Sequence, residues 1–248
     1  MRYLLLSDIH SNLEALYTCL DLAAGKYDMA VCLGDLVGYG PNPNEVVDKI
    51  RNLCRVVIRG NHDKACCGID DAKEFNVYAR MATMWTHQAL SPAHLEYLRA
   101  LPMGPALMDG FIFVHGSPQD EDEYILGPAQ ALPLLRGAET QLVCFGHTHM
   151  QGGFMLTPGG QFRSIRTPAA RDGLTLTVTL EDSARFLINP GSVGQPRDLD
   201  WRAGFAILDT EEKAVEYYRT PYDVGQTQAK MEKAGLPLPL YRRLELGR

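Results

Sequence analysis

Short apolar runs alternate with amphipathic stretches along the first half of the chain. Tyr3 to Leu6 reads as a first strand. Asn12 then stands as the N-cap of a helix that puts Leu13, Leu16, Tyr17 and Leu20 on one face and ends near Gly25. Met29 to Leu33 is a second strand. Asn42, Pro43 and Glu45 occupy the cap, first-turn and capping-box positions of a second helix, which buries Val46, Val47, Ile50 and Leu53. Arg55 to Ile58 is a third strand, and the β-α-β-α-β order predicts a parallel sheet. Asp71 to Ala89 spaces Phe75, Tyr78, Ala82, Trp85 and Ala89 three and four apart, which predicts a longer helix. Ser91-Pro92 opens another, with Leu95, Leu98 and Leu101 inward. Met103 to Met108 and Phe111 to Val114 form a hairpin across Asp109-Gly110. Ala129 to Leu135 is a short helix, and Gln141 to Phe145 a further strand.

After His149 the texture changes. Gly152 to Leu156, Gln161 to Arg166, Leu174 to Leu180 and Arg185 to Ile188 are short strands between Pro-Gly and charged turns. Phe205 to Asp209 and Ala214 to Tyr218 form a last hairpin. Asp223 to Ala234 is a helix, and Leu236-Pro237-Leu238-Pro239-Leu240 reads as extended or polyproline-like. The polar, turn-rich stretch Thr157 to Leu180 is either a specificity hairpin or a surface insertion. No repeat, low-complexity tract or linker interrupts the pattern, so residues 1–248 are expected to form a single α/β domain with a parallel-leaning half followed by an antiparallel one.

Composition narrows the class. Apolar residues make up 46% and charged residues 22% of the chain, ordinary for a soluble globular protein. The net charge of −6 gives no footprint for long nucleic acids. No apolar run reaches membrane-spanning length. The six cysteines include no C-x-x-C pair. Cys32, Cys54 and Cys144 sit inside apolar runs as small core residues, and Cys66-Cys67 reads as packing. A reducing cytoplasm is the expected location. Nothing in the pattern selects an oligomeric state.

The candidate chemistry lies where the apolar runs stop. Leu4-Leu5-Leu6 leads into Ser7-Asp8-Ile9-His10, and Ala30-Val31-Cys32-Leu33 into Gly34-Asp35. Val56-Val57-Ile58 leads into Arg59-Gly60-Asn61-His62-Asp63, and Phe111-Ile112-Phe113-Val114 into His115-Gly116. Val143-Cys144-Phe145 leads into Gly146-His147-Thr148-His149. Five of the seven histidines fall in these blocks. In an open α/β sheet the carboxyl ends of strands are where sites assemble. Two imidazoles at i and i+2 share one face of an extended segment. Carboxylate, carboxamide and imidazole donors without thiolate favour Mn, Fe, Zn or Co over a closed structural zinc site.

In order and spacing, these five blocks resemble the calcineurin-like metallophosphoesterases, whose pattern is D-x-H, G-D, G-N-H-D/E, a histidine before glycine, and G-H-T/S-H. The Asn189-Pro190-Gly191-Ser192 stretch resembles their small bacterial and archaeal phosphodiesterase branch, so the likeness runs from about Met1 to Leu208. The resemblance implies a four-layer αββα sandwich of two mixed β-sheets flanked by helices. It also implies a two-metal centre, with manganese the first choice for activity. Asp8, His10, Asp35 and His149 would hold one ion and Asp35, Asn61, His115 and His147 the other, Asp35 bridging. A hydroxide shared by ions roughly 3.5–4 Å apart would attack phosphorus in a small phosphoester. His62 would be the general acid, with Asp63 either orienting it or purely structural. Asn12 fits a cap better than a phosphate ligand. Tyr39 is either a base-stacking residue or a loop anchor. Arg197 and Arg202 follow the Gly191-Ser192 turn and read as solvated surface arginines more readily than as contacts to an anionic substrate, and Asn189 shapes the loop.

Other functions remain open at this level. Serine/threonine protein phosphatases resemble G-D-x-x-D-R-G at the second block, but this chain has Gly34-Asp35-Leu36-Val37-Gly38-Tyr39-Gly40 and ends its third block in Asp63 rather than Glu. A dinucleoside polyphosphate hydrolase fits the same blocks. A non-catalytic scaffold like the retromer subunit lacks the acid histidine, which His62 supplies here. A nuclease is disfavoured by the absence of a basic stripe.

Overall fold

The computed structural model describes residues 1–168 and 172–248. Strand β1 (Arg2–Leu6) is followed by α1 (Leu13–Ala23), β2 (Met29–Cys32), α2 (Pro43–Leu53), β3 (Cys54–Val57) and α3 (Asn61–Cys67). Then come α4 (Val77–Ala89), α5 (Pro92–Ala100), β4 (Ala106–Met108), β5 (Phe111–Phe113), α6 (Pro128–Gly137) and β6 (Leu142–Cys144). The second half holds β7 (Gly152–Leu156), β8 (Phe162–Arg166), β9 (Gly173–Thr179), β10 (Arg185–Asn189), β11 (Ala203–Asp209) and β12 (Ala214–Thr220). Helices α7 (Val224–Lys233) and α8 (Leu238–Arg242) and a 3-10 turn at Leu244–Leu246 close the chain.

The strands form two six-stranded mixed sheets, ordered β3-β2-β1-β11-β12-β9 and β4-β5-β6-β10-β7-β8. In the first, β1, β2 and β3 run parallel and β11 antiparallel to β1. In the second, β5, β6 and β10 run parallel and β7 antiparallel to β10. Side-chain alternation explains why β1 is apolar on both faces. Tyr3 and Leu5 join Phe113, Cys144, Phe186 and Ile188 of the other sheet in a layer between the two. Leu4 and Leu6 face outward onto Leu16 and Cys19 of α1 and Val46 and Ile50 of α2. On the far side, Val143 and Leu187 pack on Ala131 and Leu135 of α6. The order is therefore helices, sheet, sheet, helices, the arrangement of a four-layer αββα sandwich.

The strands of the antiparallel half complete both sheets, β9, β11 and β12 one and β7, β8 and β10 the other, as the expected pair of mixed sheets requires. Several expectations are corrected. The helix expected over 71–89 begins only at Val77, because the Asn76 side chain accepts from Tyr78 N and Ala79 N and caps it there. The Asp70 carboxylate instead accepts from Ala72 N in a local turn. Phe75 is thus released from the helix. Asn42 makes no backbone cap; its amide donates to Glu45 Oε1 at 3.2 Å. The tail is not extended. Leu238–Arg242 is helical, with proline in the first turn where its missing N–H costs nothing. The 157–180 stretch supplies edge strands to two different sheets, β8 to one and β9 to the other; residues 169–171 within it lie outside the described residues.

The tail packs where it affects the site. Met231, Leu236, Leu240 and Leu244 form a small core with Ala79 and Ala82 of α4 and with Tyr39 from the loop after β2. Among the described residues no helix is long and apolar enough to cross a membrane.

Candidate metal centre

The carboxyl ends of β1, β2, β3, β5 and β6 converge between the sheets. β1 delivers Asp8 and His10, β2 delivers Asp35, β3 leads into Asn61 at the start of α3, β5 delivers His115, and β6 delivers His147 and His149. The loops are stitched by backbone bonds: Asp8 N to Gly34 O at 3.0 Å, Ile9 N and His10 N to Asp35 O at 2.9 and 3.0 Å, and Gly146 N to His115 O at 2.8 Å. His147 N donates to the Asp8 carboxylate at 3.2 Å. Asp8, His10, Asp35, His147 and His149 all adopt left-handed φ between 49° and 66°. Such backbone costs roughly 1–3 kcal/mol per residue and persists only where the surroundings enforce it. Close approach also dictates glycine. A Cβ on Gly34, itself at φ 99°, would stand 2.7 Å from Gly60 N and 2.8 Å from His115 Nδ1. A Cβ on Gly60 would strike the Asp35 carboxylate.

Each of four imidazoles spends one nitrogen on a backbone carbonyl. His10 Nδ1 donates to Val37 O at 3.1 Å, His115 Nδ1 to Leu33 O at 2.7 Å, His149 Nδ1 to Gln195 O at 2.6 Å, and His147 Nε2 to Asp122 O at 3.1 Å. A carbonyl can only accept, so the other nitrogen of each ring is left as a lone pair when the ring is neutral. This is the second layer expected around metal-binding histidines. The lone pairs face one another and the carboxylates. His10 Nε2 lies 3.1 Å from His149 Nε2, a contact between two acceptors. His149 Nε2 is 3.4 Å from Asp8 Oδ1. Asp35 Oδ2 is 3.5 Å from both His10 Nε2 and His115 Nε2. Asp35 Oδ2, Asn61 Oδ1 and His115 Nε2 are buried with no hydrogen-bond partner among the described residues. Once the His115 ring gives up its proton, such a set of buried acceptors is what a cation satisfies. Asp8, His10, Asp35 and His149 form one group able to hold a metal ion, and Asp35, His115 and His147 another, with Asp35 common to both.

Electrostatics agrees with this division. Burial pushes His10 and His149 well below the ordinary histidine range. Burial, assisted by the charge on His115, lowers His147 to about 3. These rings stay neutral at physiological pH and keep their lone pairs. Burial would raise Asp35, but His115 and His62 hold it well below the usual carboxylate range. Burial would lower His115, but Asp35 beside it wins and raises it. Burial lifts Asp8 to about 7.

His62 sits next to this cage. Its backbone N–H donates to Asp35 Oδ1 at 2.9 Å, and its ring packs against Tyr39 at 4.4 Å, Phe75 at 4.5 Å and His10 at 4.9 Å between centroids. Burial lowers it to about 4, and its Nδ1 has no hydrogen-bond partner among the described residues. Asp63 does not reach the His62 ring through a hydrogen bond. Its two oxygens accept from Val37 N at 3.1 Å and Gly60 N at 2.9 Å, which fixes the turn into α3.

The remaining sequence candidates divide. Asn12 caps α1 through Ala15 N at 3.1 Å and donates to Gly194 O at 2.9 Å. Asn189 donates to Gly146 O and Thr148 Oγ1 at 2.8 and 3.0 Å, holding the loop that presents His147 and His149. Tyr39 is only 5% exposed and is packed against His10 and His62, so it presents no open face to a base. Arg197 lies beside the site, its Nη2 donating to Gln195 Oε1 at 2.9 Å; Arg202 is paired with Asp200 and Asp172. Four contributors carried no sequence signal: Gln195 and Asp122 through their carbonyls, Phe75 through its ring, and Tyr124, stacked on His147 with centroids 3.7 Å apart.

Residues 1–151 match the sequence model of the family described as calcineurin-like phosphoesterase. The chain belongs to this family, a class of phosphoric ester hydrolases that typically bind two divalent metal ions. An uncharacterized protein of Methanocaldococcus jannaschii is 34% identical over 98% of this chain and 97% of its own. A crystal structure of a metallophosphoesterase from Sphaerobacter thermophilus is 38% identical, covers 100% of this chain and 99% of its own, and superposes with a TM-score of 0.85. A hypothetical protein from Pyrococcus horikoshii OT3, 23% identical over 100% of this chain and 98% of its own, shares the fold with a TM-score of 0.79.

Proposed function

We propose that residues 1–248 act as one calcineurin-like domain and hydrolyse small phosphoesters, phosphodiesters in particular, in the cytoplasm. In this reading Asp8, His10, Asp35 and His149 hold one divalent ion, and Asp35, Asn61, His115 and His147 the other. Manganese is the first choice for activity, with Fe, Zn and Co the alternatives offered by this donor set. The observation that carries the reading is Asp35 Oδ2, unpartnered, buried and 3.5 Å from a ring nitrogen of each group. When bound, the ions supply Lewis-acid activation of water and neutralisation of phosphoryl charge.

The chain's own residues do the rest. His62 is the acid that gives a proton to the leaving oxygen. Its neighbours Tyr39 and Phe75 restrict the ring, and the bond from its N–H to Asp35 ties its position to the cage. Burial keeps it neutral, and an anionic phosphoester supplies the counter-charge that favours its protonated form. Asp63 is a positioning residue that acts through the Gly60 turn. Turnover of bis(p-nitrophenyl) phosphate with added manganese tests the reading. Absence of turnover in metal-replete protein would replace it with a binding scaffold.

A further inference from the structure

Next to the cage of unpartnered acceptors stands a cluster with the opposite demand. The guanidinium carbons of Arg197 and Arg243 lie 5.8 and 4.8 Å from the centroid of the Tyr39 ring, within cation–π range. Their Nη2 atoms donate to one oxygen, Gln195 Oε1, at 2.9 and 2.6 Å. Two cations thus flank one neutral acceptor. Three other half-buried or buried arginines are neutralised, Arg59 by Glu121, Arg202 by Asp200 and Arg219 by Asp198, while Arg185 is met by the carbonyls of Leu135 and Arg136. Among the described residues Arg197 and Arg243 have no carboxylate partner, and their Nε atoms have no acceptor. Burial, and next the charge of Arg197, lowers Arg243 from its ordinary range. The pair is therefore held together against its own repulsion.

The fold enforces this placement. Arg243 lies between α8 and the last 3-10 turn, with Leu240 and Leu244 on either side in the core that holds Tyr39. Leu199 N donates to Gly247 O at 3.0 Å, fastening the chain end near Arg197. Arg197 N donates to His149 O at 3.2 Å. Gln195 serves both clusters, its carbonyl holding His149 Nδ1 and its side chain holding the two arginines. The Tyr39 ring in turn touches His10 and His62. Planar guanidinium forks on a rigid mount suit a phosphate group.

We propose that Arg197 and Arg243, joined by Gln195 on the Tyr39 ring, form an anion subsite beside the cage, and that the substrate carries a second phosphoryl group next to the one attacked. This rests on the cage being the reaction centre. In such a substrate the oxygen of water bonds to one phosphorus, the bond from that phosphorus to the bridging oxygen breaks, and the departing phosphate monoester takes a proton. No further reactant is required.

The test uses the full chain loaded with manganese and compares kcat/KM for bis(p-nitrophenyl) phosphate and P1,P2-bis(p-nitrophenyl) pyrophosphate. The intact protein should favour the pyrophosphate. Arg243→Gln and Arg197→Gln should each cut that preference roughly 10–100-fold, chiefly through KM. Arg243→Lys should restore part of it. Metal content and melting temperature, measured on every variant, separate a subsite effect from misfolding, and Arg243→Lys serves where Arg243→Gln fails to fold. Equal preference in the intact protein, or a ratio that neither arginine alters while the simple diester still turns over, would overturn the subsite alone. No turnover of either substrate would overturn the phosphoesterase reading and the subsite with it.

Discussion

Asp35→Asn is the sharpest perturbation of the proposed centre, because one atom is changed and two ions should respond. The amide is nearly isosteric and keeps Oδ1 to accept from His62 N at 2.9 Å. What disappears is the unit charge on Oδ2, 3.5 Å from His10 Nε2 and from His115 Nε2. At an effective dielectric of about 20, two unit charges about 4 Å apart interact by about 4 kcal/mol; a divalent ion doubles this, and desolvation takes back roughly half. Removing one charge shared by both ions should therefore weaken each by roughly a thousandfold. His149→Ala and His147→Ala each remove a donor belonging to only one group. Calorimetric titration of chelator-treated protein with manganese should give two ions for the intact chain, one for each histidine variant, and none at micromolar concentration for Asp35→Asn. Two ions retained by Asp35→Asn at unchanged affinity would refute the bridging role, and so would an identical loss in all three variants.

The other predictions follow from the same geometry. His62→Ala should lower kcat by about 10²–10⁴-fold with metal content kept, and more for an alkyl ester than for a p-nitrophenyl ester, whose leaving group needs less help; loss of metal would show that His62 is not merely an acid. Because Asp35 raises His115 in the metal-free fold, that ring still carries a proton at neutral pH, and an incoming ion must displace it. Manganese uptake should release protons, and affinity should rise with pH through neutrality; calorimetry in buffers of different ionisation enthalpy would show it. Gly60→Ala drives a methyl into the Asp35 carboxylate and should cost about 1–3 kcal/mol in urea unfolding together with metal binding.

Much of this was legible in the sequence, and the reasons are local. β1 is legible because an apolar run covered on both faces leaves no alternation to confuse it, and it stops where Asp8 begins. His147 and His149 are legible as a histidine pair after a buried strand, but the expected shared face is not: both adopt left-handed φ, 66° and 59°, so the segment is not extended and the two rings join different groups. The errors also have local causes. Phe75 falls in register with Trp85 on a helical count, so periodicity absorbed it into α4; the Asn76 cap that excludes it uses a side-chain bond that spacing does not reveal. Pro237 and Pro239 suggested an extended tail, but proline is tolerated in the first turn, and Leu240 and Leu244 bury themselves only if the segment turns.

The illegible part of the site shares one property: its members act through backbone or through tertiary contact. Gln195 and Asp122 hold His149 and His147 by carbonyl oxygens that every residue type possesses. Arg243 reaches Tyr39 from the far end of the chain, in a segment outside the family match at residues 1–151. The residues that donate to metal must be particular side chains on short strand-end loops, so their pattern is dense and readable. The residues proposed to choose the substrate need only arrive at the rim with the right charge, and any rigid element can bring them. That asymmetry is why the reaction class could be inferred before the fold, while the arginine pair became visible only once α8 was seen folded against the loop carrying Tyr39.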